Sequence, residues 1–161
     1  MTLQITHKLD DKWSLWIRRH EERSWDIKTY QNAFSFNTIE DYWGLHNTIY
    51  KICDMTFIMK DGIKPVFEDD KNRNGGQLTF LVPLKQSMPT WHSLGAHILT
   101  NNFCNDMEKI NGFSVSLKGN KALFKIWFNN YEDFSYNLNN KRIVFKFKNE
   151  FFKRFRIKKN I

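Results

Sequence analysis

At 161 residues, 41% of them hydrophobic, the chain is long enough for one packed domain (1–161) and too apolar to remain disordered. Seven Gly and three Pro argue against a low-complexity or linker protein, and a formal net charge of +8 suits a polyanionic partner such as RNA, or equally simple solubility. The sequence shows no signal peptide and no apolar run of membrane-spanning length. Its two cysteines, Cys53 and Cys104, lack metal-ligand spacing, so a soluble, reduced, cytoplasmic protein is expected.

Lys12 to Arg19 (KWSLWIRR) reads as a first strand with a mixed face. Thr38 is the N-cap of a helix whose first turn carries Glu40 and Asp41, with Ile39, Tyr42, Trp43, His46, Ile49 and Tyr50 at helical spacing. Met55 to Lys60 (MTFIMK) is strand-like and ends at the turn signal Asp61-Gly62. Gln77 to Val82 is a further strand, stopped by Pro83. A second helix is expected over Pro89 to Phe103, with Trp91, Leu94 and Ile98 facing the core. Phe113 to Leu117 and Ala122 to Phe128 form a hairpin around Lys118-Gly119-Asn120-Lys121. Arg142 to Lys148 and Phe151 to Ile157 form a last hairpin around Asn149-Glu150. Strands interleaved with two helices make an α+β domain with a mostly antiparallel sheet.

No nucleotide-binding glycine loop, metalloprotease helix or nucleophile elbow is present, so a binding protein is expected rather than an enzyme. The five histidines are scattered, and His92 and His97 stand five apart, a poor ligand spacing. Glu68-Asp69-Asp70 is acidic, but Lys71 and Arg73 beside it argue against a cation site, so neither a metal nor a cofactor is expected. With 15 Phe and 6 Trp, some rings are available to a ligand rather than the core.

The most informative stretch is Asp61 to Gly76, DGIKPVFEDDKNRNGG, which sets Phe67 directly before Glu68 in a turn-rich segment between two strands. A ring beside a carboxylate suits a flat cationic ligand with donors along one edge. Guanine methylated at N7 is such a ligand: the π face attracts the cation, and the carboxylate accepts from N1 and N2.

On these motifs the chain resembles the eukaryotic initiation factor 4E family of messenger-RNA cap-binding proteins. HKLDDKWSLWIRR (7–19) resembles the family's opening strand, NTIEDYWGLHNTIY (37–50) its first helix, and DGIKPVFEDDKNRNGGQLTF (61–80) its most specific signature. The resemblance covers nearly the whole chain. It implies a curved antiparallel sheet with helices on the convex face and a cap slot on the concave one.

The family holds 7-methylguanine between two tryptophans. Trp25 matches the first, while Phe67 stands where the second would be, a smaller ring with a less electron-rich face. Glu68 matches the carboxylate that reads the guanine edge. Lys121, with Lys118 near it, matches the phosphate contacts, although Gln77 and Ser116 replace family arginines and weaken that grip. The basic residues Lys153, Arg154 and Arg156 are possible compensation. For the ring that touches the N7-methyl group, strict spacing lands on Lys125, while Trp127 lies two residues on with the same strand parity. His7, Leu9, Ile39 and Trp43 resemble the convex surface that takes a helix of a 4G-type initiation scaffold, though His92 and Ala96 replace leucines there. The segment Asn129 to Asn140 is short where the family has a long helix.

The resemblance therefore implies a compact cap-binding protein, a monomer within a larger complex with capped mRNA and a scaffold partner. Two alternatives remain open at this level: a cap-binding repressor without a scaffold, and a general single-stranded RNA binder. The Asn-, Lys- and Phe-rich composition suits an A+T-rich genome, such as a parasite or large DNA virus carries.

Overall fold

The computed structural model describes residues 5–48, 54–132 and 151–154, with 47, 48 and 151–154 as backbone only. Seven strands form one curved sheet: β1 (Lys8–Arg18), β2 (Tyr30–Thr38), β3 (Met55–Lys60), β4 (Gly76–Pro83), β5 (Ile110–Lys118), β6 (Lys121–Phe128) and β7 (Phe151–Arg154). Their spatial order is β2-β1-β3-β5-β6-β4-β7, and every neighbouring pair is antiparallel. Two helices, α1 (Ile39–Thr48) and α2 (Ser87–Leu99), complete the α+β fold.

Local chemistry sets the element boundaries. The Thr38 hydroxyl accepts from the Asp41 amide at 3.1 Å and so caps α1, as its sequence predicts. The β5–β6 hairpin pairs Lys118 with Lys121, leaving a two-residue turn in which Gly119 has φ 60°. That positive φ fits a turn whose twist matches the flanking strands. Helix α2 begins two residues before Pro89, which is tolerated in a first turn. It ends at Leu99, short of the expected Phe103, because Asn101 turns the chain at φ 55°. Strand β1 starts at Lys8 rather than Lys12, and β2 was not expected at all. Strand β7 lies along β4, and the rest of the expected last hairpin, including Arg142 to Lys148 and Arg156, is outside the described residues, as are Ile49, Tyr50 and Cys53.

Strand parity divides the side chains between two faces. Trp13, Leu15, Ile58, Leu78, Phe80, Phe113, Phe124, Ile126 and Phe128 pack in one core with Tyr42 of α1 and Trp91, Leu94 and Ile98 of α2. The Phe80 and Phe124 rings stack there at 5.3 Å. The opposite face carries a smaller cluster of Met55, Phe57, Met59, Ile63 and Trp127, flanked by Trp16, Tyr30 and Phe67. No helix among the described residues is long and apolar enough to cross a membrane.

Candidate nucleic-acid interface

The smaller cluster floors a cavity of about 240 Å³. Its wall contains Trp25, Phe67, Glu68, Lys118, Lys125 and Trp127, with Tyr30, Phe57, Ser114 and Ser116. The size falls just below the range of roughly 300–1,000 Å³ typical of small-molecule sites, and fits one flat ring system better than an extended ligand.

A chain of rings builds the floor. Tyr30 and Phe57 lie 5.4 Å apart, Phe57 and Trp127 6.1 Å, and Trp127 and Phe67 5.4 Å at 42°. Trp127 is 2% exposed, and its indole N–H donates to the Ser114 hydroxyl at 3.1 Å. Trp127 thus braces Phe67 from below, while Lys125, one step nearer the hairpin, lines the same wall.

The segment carrying Phe67-Glu68 is held from inside. Asn72 is fully buried, and its amide nitrogen donates to the carbonyls of Lys64 (2.9 Å) and Val66 (2.8 Å). Its oxygen accepts from Asn111 at 2.8 Å, and Asn111 also donates to the Lys71 carbonyl. Asp69 accepts from the Lys64 and Lys71 amides, and Asp70 pairs with Arg73 at 2.8 Å. The acids after Glu68 are therefore spent on the turn itself. Phe67 is left half-buried and Glu68 exposed at the cavity wall, where among the described residues no donor reaches the Glu68 carboxylate.

Trp25 is 62% exposed on the segment joining β1 to β2. The Arg18 guanidinium lies over its ring, 4.0 Å from the centroid, and 5.7 Å from that of Tyr30. Burial is the main reason the Tyr30 hydroxyl is pushed up to about 12; Arg18 opposes that shift and Glu68 adds to it, which places all three in one electrostatic neighbourhood.

The structure brings Trp25, Phe67, Glu68, Lys118 and Trp127 to one cavity. Lys121 is exposed at the start of β6 and does not contribute to the wall. Gln77 is buried at the register position of Trp127 and also lies outside the wall. Arg18, Asn72, Asn111 and Tyr30 escape sequence reasoning. An arginine on a mixed-face strand and asparagines in a polar turn read as solvated.

On the helix-bearing face, the His7 ring and amide engage Glu40 at 2.6 to 3.1 Å, and the Ile39 amide donates to the His7 carbonyl, so the start of β1 is clamped onto the start of α1. The hydrogen bonds to His7 hold the Glu40 carboxyl below its ordinary range. Leu9 is half-buried against the core, and Trp43 is 42% exposed. The Trp43 ring lies 5.4 Å from that of His46 and 5.7 Å from His92, and the two imidazoles are 4.1 Å apart. Desolvation, followed by repulsion from His92, pushes His46 down to about 4.

A family model described as eukaryotic initiation factor 4E matches residues 8–160. Among curated relatives, initiation factor isoform 4E of Arabidopsis thaliana is 36% identical over 83 residues, covering 47% of this chain and 41% of its own. The chain spans about two fifths to two thirds of the length of the first such relatives it matches. Among solved structures, Ascaris suum eIF4E-3 in complex with an m2,2,7G cap is 26% identical with a TM-score of 0.69, over 78% of this chain and 75% of that one. C. elegans eIF4E-3, in complex with the 4E-binding protein Mextli and a cap analog, has a TM-score of 0.72 at 24% identity, over 78% and 76% of the two chains. With a family model matched over nearly its whole length, the chain belongs to the eukaryotic initiation factor 4E family.

Proposed function

We propose that this cavity binds the 7-methylguanosine cap of mRNA, as a binding module without enzymatic activity. One observation carries the reading: Trp25, Phe67, Glu68 and Lys118, drawn from three separate segments, share one cavity wall. The base stacks between Trp25 and Phe67, and the Glu68 carboxylate accepts from N1 and N2 of guanine. The apolar floor of Phe57 and Trp127 takes the methylated end. Lys118 meets the first phosphates and Lys121 those farther along, where an exposed lysine suffices as a point charge. The Ascaris relative, described with a cap bound, supports the same use of this fold.

The test is a fluorescence titration with 7-methylguanosine triphosphate and with unmethylated GTP. Micromolar or tighter binding of the first and far weaker binding of the second is expected; equal affinities refute the slot. Glu68→Ala should erase discrimination between guanine and adenine caps. Discrimination retained in that variant removes Glu68 from the site.

We further propose that the exposed face of Trp43, with Ile39, Leu9 and His7, receives a helix of an initiation-scaffold protein, so that capped mRNA is recruited to initiation in the cytoplasm. His92 and Ala96 on α2 make that surface more polar than leucines would. This favours a second reading, a cap-binding repressor that takes no scaffold. A pull-down with Trp43→Ala as control separates the two: capture of a scaffold by the wild type alone supports initiation.

A further inference from the structure

We infer that Arg18 is a positioning residue for Trp25, which holds one wall of the slot in place before any ligand arrives. The inference rests on the reading of Trp25 as a slot wall. Arg18 closes β1 and is only 2% exposed, paired across the sheet with Tyr30 on one side and Met55 on the other. From there its guanidinium reaches back over the segment that follows. Its Nη2 donates to the carbonyls of Glu22 (2.8 Å) and Ser24 (2.7 Å), and its Nη1 to that of Arg19 at 3.4 Å. The same planar group lies on the Trp25 ring.

The end of the loop is tied by the Ser24 hydroxyl, which accepts from the Asp26 amide, and by the Thr29 hydroxyl, which donates to the carbonyls of Ser24 and Asp26, but its first part has little else to hold it. Every residue from Arg19 to Asp26 is exposed. The other bonds to its first part are long: Glu22 amide to Arg19 carbonyl at 3.4 Å, and His20 amide to the Asp54 carboxylate at 3.3 Å. The two shortest contacts on residues 19–24 both come from the Arg18 guanidinium, which matches paired acceptors in a way a lysine ammonium does not.

Trp25 contributes to the cavity wall and Arg18 does not, so the guanidinium holds the ring without itself forming part of that wall. Holding a loop in its bound conformation raises affinity by removing the cost of ordering it on binding. Among the described residues no carboxylate lies within ion-pair distance of Arg18. Its charge is met chiefly by carbonyl dipoles and the indole face of the segment it positions, with the Met55 sulfur at 3.5 Å and the Tyr30 ring at 5.7 Å beside it.

Two measurements on the purified full chain test this. In the first, which needs no ligand, amide hydrogen exchange across residues 19–26 should speed up at least tenfold in Arg18→Met, whose apolar side chain suits a site beside Met55. Unchanged exchange there would overturn the inference whatever the slot binds. In the second, a double-mutant cycle follows 7-methylguanosine triphosphate affinity. Arg18→Met should weaken binding at least fivefold in the wild-type background and less than twofold when Trp25 is already alanine. Equal losses in both backgrounds would show that Arg18 does not act through Trp25. Arg18→Lys keeps the charge but not the planar fork, so it should fall between; wild-type exchange and affinity in that variant would also overturn the inference. A wild-type chain that binds no cap analogue, yet loses loop protection in Arg18→Met, would reject the slot reading and leave the positioning role standing.

Discussion

Asn72→Ala should damage both the stability of the domain and the slot, and the structure sets the size of the first effect. The wild-type side chain is fully buried and makes three hydrogen bonds: two donated to the carbonyls of Lys64 and Val66, one accepted from Asn111. A buried hydrogen bond contributes about 1 kcal/mol net, and partners left without one cost more, so the loss comes to about 3 kcal/mol. Asn111 keeps its bond to the Lys71 carbonyl, which limits the damage on that side. In a domain of this size each kcal/mol moves the melting point by roughly 2–4 °C, so Tm should fall by about 6–12 °C. Thermal and urea unfolding, each followed by circular dichroism, measure it. The segment that presents Phe67 and Glu68 loses its internal tie at the same time, so cap affinity should fall in the variant even at temperatures where it stays folded. A Tm within about 2 °C of wild type, or intact binding, would mean that the turn is held by Asp69 and its backbone bonds alone.

Phe67→Trp restores a larger, more electron-rich face opposite Trp25. It should tighten 7-methylguanosine triphosphate binding about two- to fivefold by titration, from roughly 0.5–1 kcal/mol of added cation–π attraction; unchanged affinity would mean that this ring does not stack on the base. Gly95→Ala puts a Cβ at 1.9 Å from the Tyr42 hydroxyl, where α1 and α2 meet. Overpacking of that kind costs about 1–3 kcal/mol in urea unfolding, and a neutral result would show that Tyr42 has room to move. His46, held down at about 4, takes up a proton less readily folded than unfolded. Its contribution is intact above the ordinary histidine range and is lost as pH falls from there toward 4. His46→Phe should flatten the fall in stability between pH 7 and pH 4.5, and an unchanged slope would place the titration elsewhere.

Much of this molecule is legible in its sequence because local chemistry and tertiary structure agree. Thr38 caps α1 in both, Gly119-Asn120 turns the hairpin, and Phe67-Glu68 stands at the cavity wall. The misses share a cause. Strand β2 (YQNAFSFNT) is an edge strand with most of its residues exposed; only Phe36 is buried, so period-two alternation is faint and pairing with β1 supplies the order. Arg18 precedes a polar run from Arg19 to Ser24 and Asn72 lies between Lys71 and Arg73, and nothing local says that a loop will close over them. Their burial is a property of the closed loop.

The two faces of the sheet explain why the cavity itself is hard to see in the sequence. In β3, MTFIMK is apolar nearly throughout, because Ile58 faces the helices while Met55, Phe57 and Met59 face the slot cluster. In β6, Phe124, Ile126 and Phe128 enter the core while Lys125 and Trp127 reach the cavity wall. A strand buried on both sides loses the alternation that would tell its faces apart. What distinguishes the slot face is its few polar members: Ser114, Ser116, Lys118 and Lys125, arranged around rings. In the proposed slot this shifts the weight of recognition. Phe67 offers less cation–π attraction than indole, Gln77 is buried away from the wall, and Ser116 brings no charge to it. The guanine edge is different: Glu68 keeps an accessible carboxylate with no internal partner among the described residues. On the proposed reading, selectivity rests on edge reading by Glu68 more than on charge attraction, and removing Glu68 should cost more discrimination than removing either lysine.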